Sequence, residues 1–386
     1  MYHMSSQMKT FFLASLAAWL AFPAQAIEVG RGVDFHDFAM KKRVTLPAQP
    51  GPDGVVWESG ASEPVAADFK ALLFQGRASR PGIVFEAALK SGQGWGAWTA
   101  AEGERFDNGR FWAKVVVSGK KGDLVRLRAL FKGTGSPGWI EFFGLDASAM
   151  EDEGEGASGM HAPPPPAPPV AAGAAPKPDV QPRSAWGAKP ATKPYEPMLP
   201  DRITVHHTES GQPMSREAAI SELQAIQSFH QQGRGWIDIG YHFIIDGSGR
   251  IWEGRPFTVV GAHVKDKNDG NVGISLMGDF HKPKYEKPTA AQFDSLIALA
   301  RWLSAAYGIS TDRILGHRDQ EPTDCPGDIL YARLGELRKA VAAPAVPSFA
   351  LEPHTGGAQA KVDSIPVFEF EPDRVRTLFD SAAFQP

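Results

Sequence analysis

The sequence predicts an α/β fold, a central mixed β-sheet flanked by helices, preceded by a separate N-terminal β-sandwich-like domain. Three observations carry this expectation. Between residues 27 and 150, short and partly alternating apolar runs are separated by Gly-rich or charged turns, which is strand patterning. Residues 151–182 are first acidic and then rich in Pro and Ala, a composition that cannot bury enough apolar surface to fold. From 183 to 342, strand and helix patterns alternate, as a sheet covered by helices requires.

The chain of 386 residues is long enough for two or three domains, and its 42% hydrophobic and 10% aromatic content supplies material for real cores. A net charge of −4 gives no electrostatic case for nucleic acid or an anionic membrane. Residues 1–26 have the form of a signal peptide: Lys9, the apolar run "FFLASLAAWLAF" and the small-x-small site "AQA". That run is short for a membrane span, and no later one approaches about eighteen apolar residues. The expected mature chain is soluble, without a membrane span, exported to the periplasm or fully secreted, and monomeric.

In the first region, "GIVFEAALK", "FWAKVVVSG", "DLVRLRALF" and "GWIEFFGL" are the strand candidates. Trp95, Trp98, Trp112 and Trp139 either fill a small core or stack on sugars. The Pro/Ala-rich segment reads as an extended, semi-rigid tether. In the second region, "RITVHHT", "GYHFIID", "GRIWEGR" and "NVGISLMG" are strands bounded by Gly, Asp or Asn. Ser215 is an N-cap for a helix whose Ala219, Leu223, Ile226 and Phe229 recur at helical spacing. "TAAQFDSLIALARWLSAAYG" is a second helix stopped by Gly308, and "PGDILYARLGELRKAV" a third with Pro326 near its first turn. The tail from 343 to 386 reads as largely disordered, although "VFEFEP" has the make-up of a strand.

The chemistry centres on Cys325, the single cysteine, in the polar stretch "GHRDQEPTDCPG". Unable to pair within the chain, it is a core thiol, an intermolecular partner, a nucleophile or a metal ligand. Catalytic zinc takes three protein ligands and keeps a fourth position for water. His317 ends the apolar run "ILGH", and the proline-containing loop after it can fold back to bring Cys325 beside it. Alternation in "RITVHHT" sends His206 and His207 to opposite faces, so one of the two faces a pocket, and periodicity does not choose which. His242 reads as core, and His230, late in an amphipathic helix, as surface or cap. His3, His161, His281 and His354 fall in signal, linker or loop segments and carry no case, while Arg318 and Asp319 are candidates to orient metal ligands.

In these motifs the chain resembles the zinc-dependent N-acetylmuramoyl-L-alanine amidases of the type 2 amidase and peptidoglycan recognition protein family. The resemblance runs from "RSAWGA" through "VHHT", "DIGYHFIIDGSGRIWEGR", "GAHV", "NVGISLMGDF" and "GHRD" to "TDCPG". It implies a zinc ion held by His206, His317 and Cys325, which resolves the choice between the two adjacent histidines. It makes Tyr241 the hydroxyl that meets the reacting carbonyl or water, places Thr323 at a catalytic position, and puts His263 and Asn271 against the glycopeptide. The implied activity is hydrolysis of the amide between N-acetylmuramic acid and L-alanine in peptidoglycan or muropeptides. The alternative is a non-catalytic peptidoglycan-binding protein on the same fold. A cysteine nucleophile paired with His317 would leave His206 unexplained. The group that protonates the leaving amine is open, with Glu253 one possibility. Pro256-Phe257 departs from the Gly-Trp of many relatives, and the disulfide of animal members is missing, which points to a bacterial version. On this plan residues 27–150 are an accessory, wall-binding domain, and their removal is expected to spare cleavage of small muropeptides.

Overall fold

Strand patterning in the first region gives two sheets that share one core. The computed structural model describes residues 30–31, 43–62, 65, 69–92, 94–117, 124–148 and 175–343. The signal segment, linker residues 151–174, the tail from 344, and His3, His161 and His354 lie outside the described residues. The strands of the first region are β1 (Gly30–Arg31), β2 (Val44–Thr45), β3 (Val55–Glu58), β4 (Ala71–Ala78), β5 (Ile83–Ser91) and β6 (Gly94–Trp95). They continue as β7 (Thr99–Ala100), β8 (Glu102–Arg105), β9 (Arg110–Val116), β10 (Leu124–Phe131) and β11 (Trp139–Ser148). One sheet has the order β1-β11-β4-β9-β8 with β2 on β11, and the other β3-β10-β5-β6 with β7 on β5. Alternate residues Leu72 and Phe74 of β4, Phe111 and Val115 of β9, and Ile140 and Phe142 of β11 meet Phe85, Val125 and Leu127 between the sheets. Phe74 packs edge-on to Phe85 with centroids 5.4 Å apart.

The outer face of the first sheet is covered as well. Its residues Leu73, Gln75, Arg110, Trp112, Lys114 and Asp146 are all buried. A sheet face bathed in water keeps its polar residues exposed, so burial of these charges means that another layer lies on top. Trp112 is therefore neither core nor open platform. Trp95, Trp98 and Trp139 are half-buried, each under a guanidinium: Arg126 over Trp95 at 4.1 Å, Arg128 over Trp98 at 4.4 Å and Arg43 over Trp139 at 3.8 Å.

The second region begins with β12 (Val180–Gln181), followed by β13 (Arg202–His207), α1 (Arg216–Ser228), β14 (Phe243–Ile245), β15 (Ile251–Glu253) and β16 (Asn271–Leu276). It ends with α2 (Ala290–Tyr307), β17 (Ile314–Gly316), α3 (Asp328–Tyr331) and α4 (Leu334–Ala342). The mixed sheet has the order β12-β15-β14-β16-β13-β17. Only the β14–β15 pair in it is antiparallel. Strand β12 pairs with β15, so the sheet takes in two residues whose composition assigned them to the linker.

Helices cover both faces. On one side Phe293, Leu296 and Leu299 of α2 pack with Ile203, Val205, Ile274 and Leu276. On the other, Ala219, Leu223 and Ile226 of α1 pack with Ile244, Trp252 and Trp186. Ser215 caps α1 by accepting from the Ala218 N–H at 3.1 Å. Thr289 and Gln292 close a capping box on α2, which Gly308 ends in the left-handed region. The third expected helix is broken after Tyr331 into α3 and α4. Among the described residues no helix is long and apolar enough to cross a membrane.

Candidate metal centre

Strand β13 lies between β16 and β17 in the sheet. Its alternation puts Val205 into the α2-side core and turns His206 the other way. His206 meets His263 and His317, with ring centroids at 5.0 and 4.5 Å. His207 returns to the first face and stacks near Phe280, at 6.1 Å. Strand β17 delivers His317, the first residue of a 3₁₀ turn whose start is closed by the Asp319 carboxylate accepting from the Gly316 N–H at 2.8 Å.

The loop then folds back as its prolines suggested. The Arg318 N–H donates to the Cys325 carbonyl at 3.0 Å, and the Arg318 guanidinium also reaches the Asp324 carbonyl and, at 2.9 Å, Asp328. Arg318 thus holds the cysteine loop, while Asp319 holds the histidine turn. Gly327 is needed here. Its φ is 86°, and a Cβ would stand 2.6 Å from the Phe280 backbone.

One ligand atom from each of His206, His317 and Cys325 lies within 4.8 Å of the others. The three residues are 1%, 2% and 4% exposed. Cys325 Sγ is 3.5 Å from His206 Nδ1 and accepts from the His207 N–H at 3.4 Å. Burial first, and then the nearness of the other imidazoles of His317 and His263, hold the His206 imidazole well below its usual range, so the ring is neutral and offers a lone pair.

The hydrogen bonds choose the nitrogen. His263 Nε2 donates to the Asn271 carbonyl at 2.9 Å, so its Nδ1 accepts from His206 Nε2 at 3.0 Å and leaves His206 Nδ1 facing Cys325. His317 Nε2 donates to the Glu321 carboxylate, which leaves Nδ1 on the inner side. Two imidazoles presented as lone pairs and a thiol stabilised by an N–H fit a zinc ion in donor type and number.

Two of these donors, His317 and Cys325, line a cleft. Tyr241 lines it, half-buried, with its ring 5.2 Å from His206. Glu209 is the carboxylate on the cleft wall among the described residues. It sits in the left-handed region at φ 51° and lies 3.4 Å from His207 Nε2. Glu253 is elsewhere, accepting from the Arg183 N–H at 3.2 Å.

Thr323 does not line the cleft; its hydroxyl accepts from the Cys325 N–H at 3.1 Å. His263 reaches the cleft but is bound to His206, and β16 passes close beneath it. A Cβ on Gly273 would meet its ring at 2.7 Å. Asn271 is fully buried away from the cleft, tied to Thr204 at 2.7 Å and to the Lys267 carbonyl at 2.9 Å.

Two histidines stand differently from expectation. His230 is buried, not a surface or cap residue. Helix α1 runs into a π-helical turn, Phe229–Gly233, and the extra residue per turn lets both Phe229 and His230 point inward. There His230 accepts from the Gly240 N–H at 3.1 Å, against Trp236 and Tyr241. His281, in a loop that carried no case, is buried 3.0 Å from Asp324 and 2.9 Å from Asp328. The two His281 contacts pin the loop that carries Cys325. Glu321 was also missed; its one signal is a carboxylate four residues after His317. His242, expected in the core, is fully buried.

Residues 195–328 match the family model of N-acetylmuramoyl-L-alanine amidase. Peptidoglycan-recognition protein SC2 of Drosophila melanogaster is 33% identical over 152 residues, 39% of this chain and 80% of that protein. The N-acetylmuramoyl-L-alanine amidase of Sus scrofa is 32% identical over 163 residues, 41% of this chain and 27% of that protein. Among solved structures, the endolysin N-acetylmuramoyl-L-alanine amidase LysCS from Clostridium intestinale URNW is 32% identical, with a TM-score of 0.36, over 42% of this chain and 96% of that one.

Proposed function

The chain belongs to the N-acetylmuramoyl-L-alanine amidase and peptidoglycan recognition protein family, and we propose that it is a catalytic member. It is a zinc-dependent amidase that hydrolyses the bond between N-acetylmuramic acid and L-alanine in peptidoglycan. Residues 1–26 direct its export, and the two N-terminal sheets form a β-sandwich. The observation that carries the reading is the convergence of the His206, His317 and Cys325 donor atoms within 4.8 Å, beside a cleft that His317 and Cys325 line. A protein that only bound peptidoglycan would need the cleft but not this donor set, nor the partners that orient each ring.

Zinc held there would supply a Lewis acid for the scissile carbonyl and would lower the pKa of a bound water to roughly 7. The chain does the rest. His263 and Glu321 keep protons on the outer nitrogens of His206 and His317, so the inner nitrogens stay lone pairs. The His207 N–H steadies charge on Cys325. Tyr241 donates its hydroxyl proton in a hydrogen bond to the oxygen on which negative charge develops, since a phenol is a donor across the neutral range. Glu209, beside His207 on the cleft wall, is the group that takes a proton from the attacking water and passes it to the leaving amine. Thr323 acts through the Cys325 turn rather than on substrate.

The test is mass analysis of purified muropeptides after incubation with the zinc-loaded chain, with and without a chelator. The expected products are a free stem peptide with an L-alanine amino terminus and the intact N-acetylmuramoyl glycan, both absent with chelator. Binding without cleavage at full zinc occupancy overturns the reading in favour of recognition alone.

A further inference from the structure

We propose that the N-terminal β region is part of the substrate site: it walls the cleft and presents the Gln75 carboxamide to the N-acetylmuramoyl peptide. The ligand class rests on the amidase reading; the placement rests on geometry.

The layer that buries the outer face of the first sheet is α1 and the turn after it. Glu222 of α1 is buried and takes Arg110 Nε at 3.1 Å, Asn108 Nδ2 at 3.3 Å and Arg77 at 3.5 Å. Trp112 Nε1 donates to Ser228 Oγ at 3.0 Å, and Leu73 and Trp112 pack on Phe229. Arg234 pairs with Asp146 at 3.3 Å, and Lys284 with Glu141 at 2.7 Å. A buried carboxylate held by guanidinium groups from strands fixes orientation, because each partner left alone is a buried unpaired charge.

Gln75 sits in the middle of this face. It is 7% exposed and lines the same cleft as Tyr241, His263, His317 and Cys325. Arg110 Nη2 donates to Gln75 Oε1 at 3.1 Å. A guanidinium only donates, so it commits the amide oxygen and turns the NH₂ away from itself. That nitrogen makes no hydrogen bond to another of the described residues. A fixed, neutral NH₂ donor on a cleft wall suits an acetamido or peptide carbonyl oxygen, both of which an N-acetylmuramoyl peptide carries. Arg110 is thereby a positioning residue, set by Glu222 and acting through Gln75.

The experiment uses the full chain and a soluble disaccharide-tetrapeptide muropeptide. Calorimetry on chelator-treated protein gives Kd without turnover, and zinc-loaded protein gives kcat and KM, for the parent, Gln75→Leu and Gln75→Glu. The Glu variant keeps an oxygen for Arg110, removes the donor and adds a negative charge that the Arg110 guanidinium faces. Loss of one hydrogen bond is expected to raise Kd and KM about threefold to tenfold in both variants. Zinc content, Tm and kcat should stay near the parent values. Unchanged Kd and KM overturn the proposal. So does a Glu variant that binds like the parent, or a fall in Tm that accompanies weaker binding in both variants, because each assigns Gln75 a structural role. A parent that binds but does not cleave removes the amidase reading and leaves the Kd comparison to judge Gln75. A parent that does not bind removes both.

Discussion

His206 Nε2 and His263 Nδ1 are 3.0 Å apart, and this contact selects the nitrogen of His206 that faces Cys325. His263 can accept there because its other nitrogen donates to the Asn271 carbonyl. The proton order thus runs from a backbone carbonyl of β16 through two rings to the metal site. Glu321 does the same for His317 in a single step.

Replacing His263 with Phe removes the acceptor and frees the His206 tautomer. Zinc affinity, measured by competition with a chromophoric chelator, is expected to fall about 10- to 100-fold while the fold persists. Glu321→Gln should act in the same direction. Parent affinity in both variants refutes the proton order.

Cys325→Ala removes the thiol from the donor set. Zinc content is expected to fall close to zero and turnover to vanish, with circular dichroism unchanged. Full activity in this variant is incompatible with a role for Cys325 in holding the metal.

Tyr241→Phe keeps the ring beside His206 and deletes the hydroxyl. Zinc content should hold, and kcat should fall by about 10²- to 10³-fold, the usual effect of losing one oxyanion donor. An unchanged kcat takes Tyr241 out of the mechanism.

Glu222→Ala leaves the buried Arg110 without its carboxylate, and Arg110→Ala leaves the buried Glu222 with only Arg77 and Asn108. Each is expected to cost about 3–5 kcal/mol in urea unfolding, with strong non-additivity in the double variant. Additive losses below about 1 kcal/mol would mean that the two regions are not locked through this pair. The expectation that the catalytic region works alone after removal of residues 27–150 does not follow from this structure, because removal uncovers Glu222 and Phe229.

Acid should loosen the fold. Burial pushes His242 down to about 3 and holds His230 well below its usual range. His242 accepts from the Gly273 N–H at 2.9 Å on Nδ1, so a proton there meets another proton. The unfolded chain takes up protons at these sites near pH 6.5, while the folded chain does not. The contribution is therefore complete above about pH 6.5 and declines as pH falls toward 3. The slope is roughly 1.4 kcal/mol per pH unit for each group. Urea unfolding at pH 7.5 and 5.0 measures it; equal stability at both values refutes it.

Much of the fold was legible. The N-cap at Ser215 and the stop at Gly308 depend on neighbours within a few residues, and both stand where local pattern put them. The π-turn that buries His230 was not legible, because helical periodicity carried past Ser228 assigns that residue to the outside. Asn271 and Thr323 were assigned to the cleft by motif position, and their side chains are instead engaged in turns. Motif position reports neighbourhood, not the direction of a side chain.

By itself the sequence carried the strand and helix order of the second region, and motif resemblance named His206, His317 and Cys325, which the fold brings within 4.8 Å of one another, because short-range periodicity and motif order survive without coordinates. Tertiary structure decided which imidazole nitrogens face the candidate metal site, that Glu321 meets His317 while His281 and His230 are buried, and that the N-terminal β region is locked onto α1. The physical reason is that a strand face bearing Gln75, Arg110 and Trp112 reads the same whether it will meet water or a buried carboxylate. Only the packing of α1 against that face reveals which.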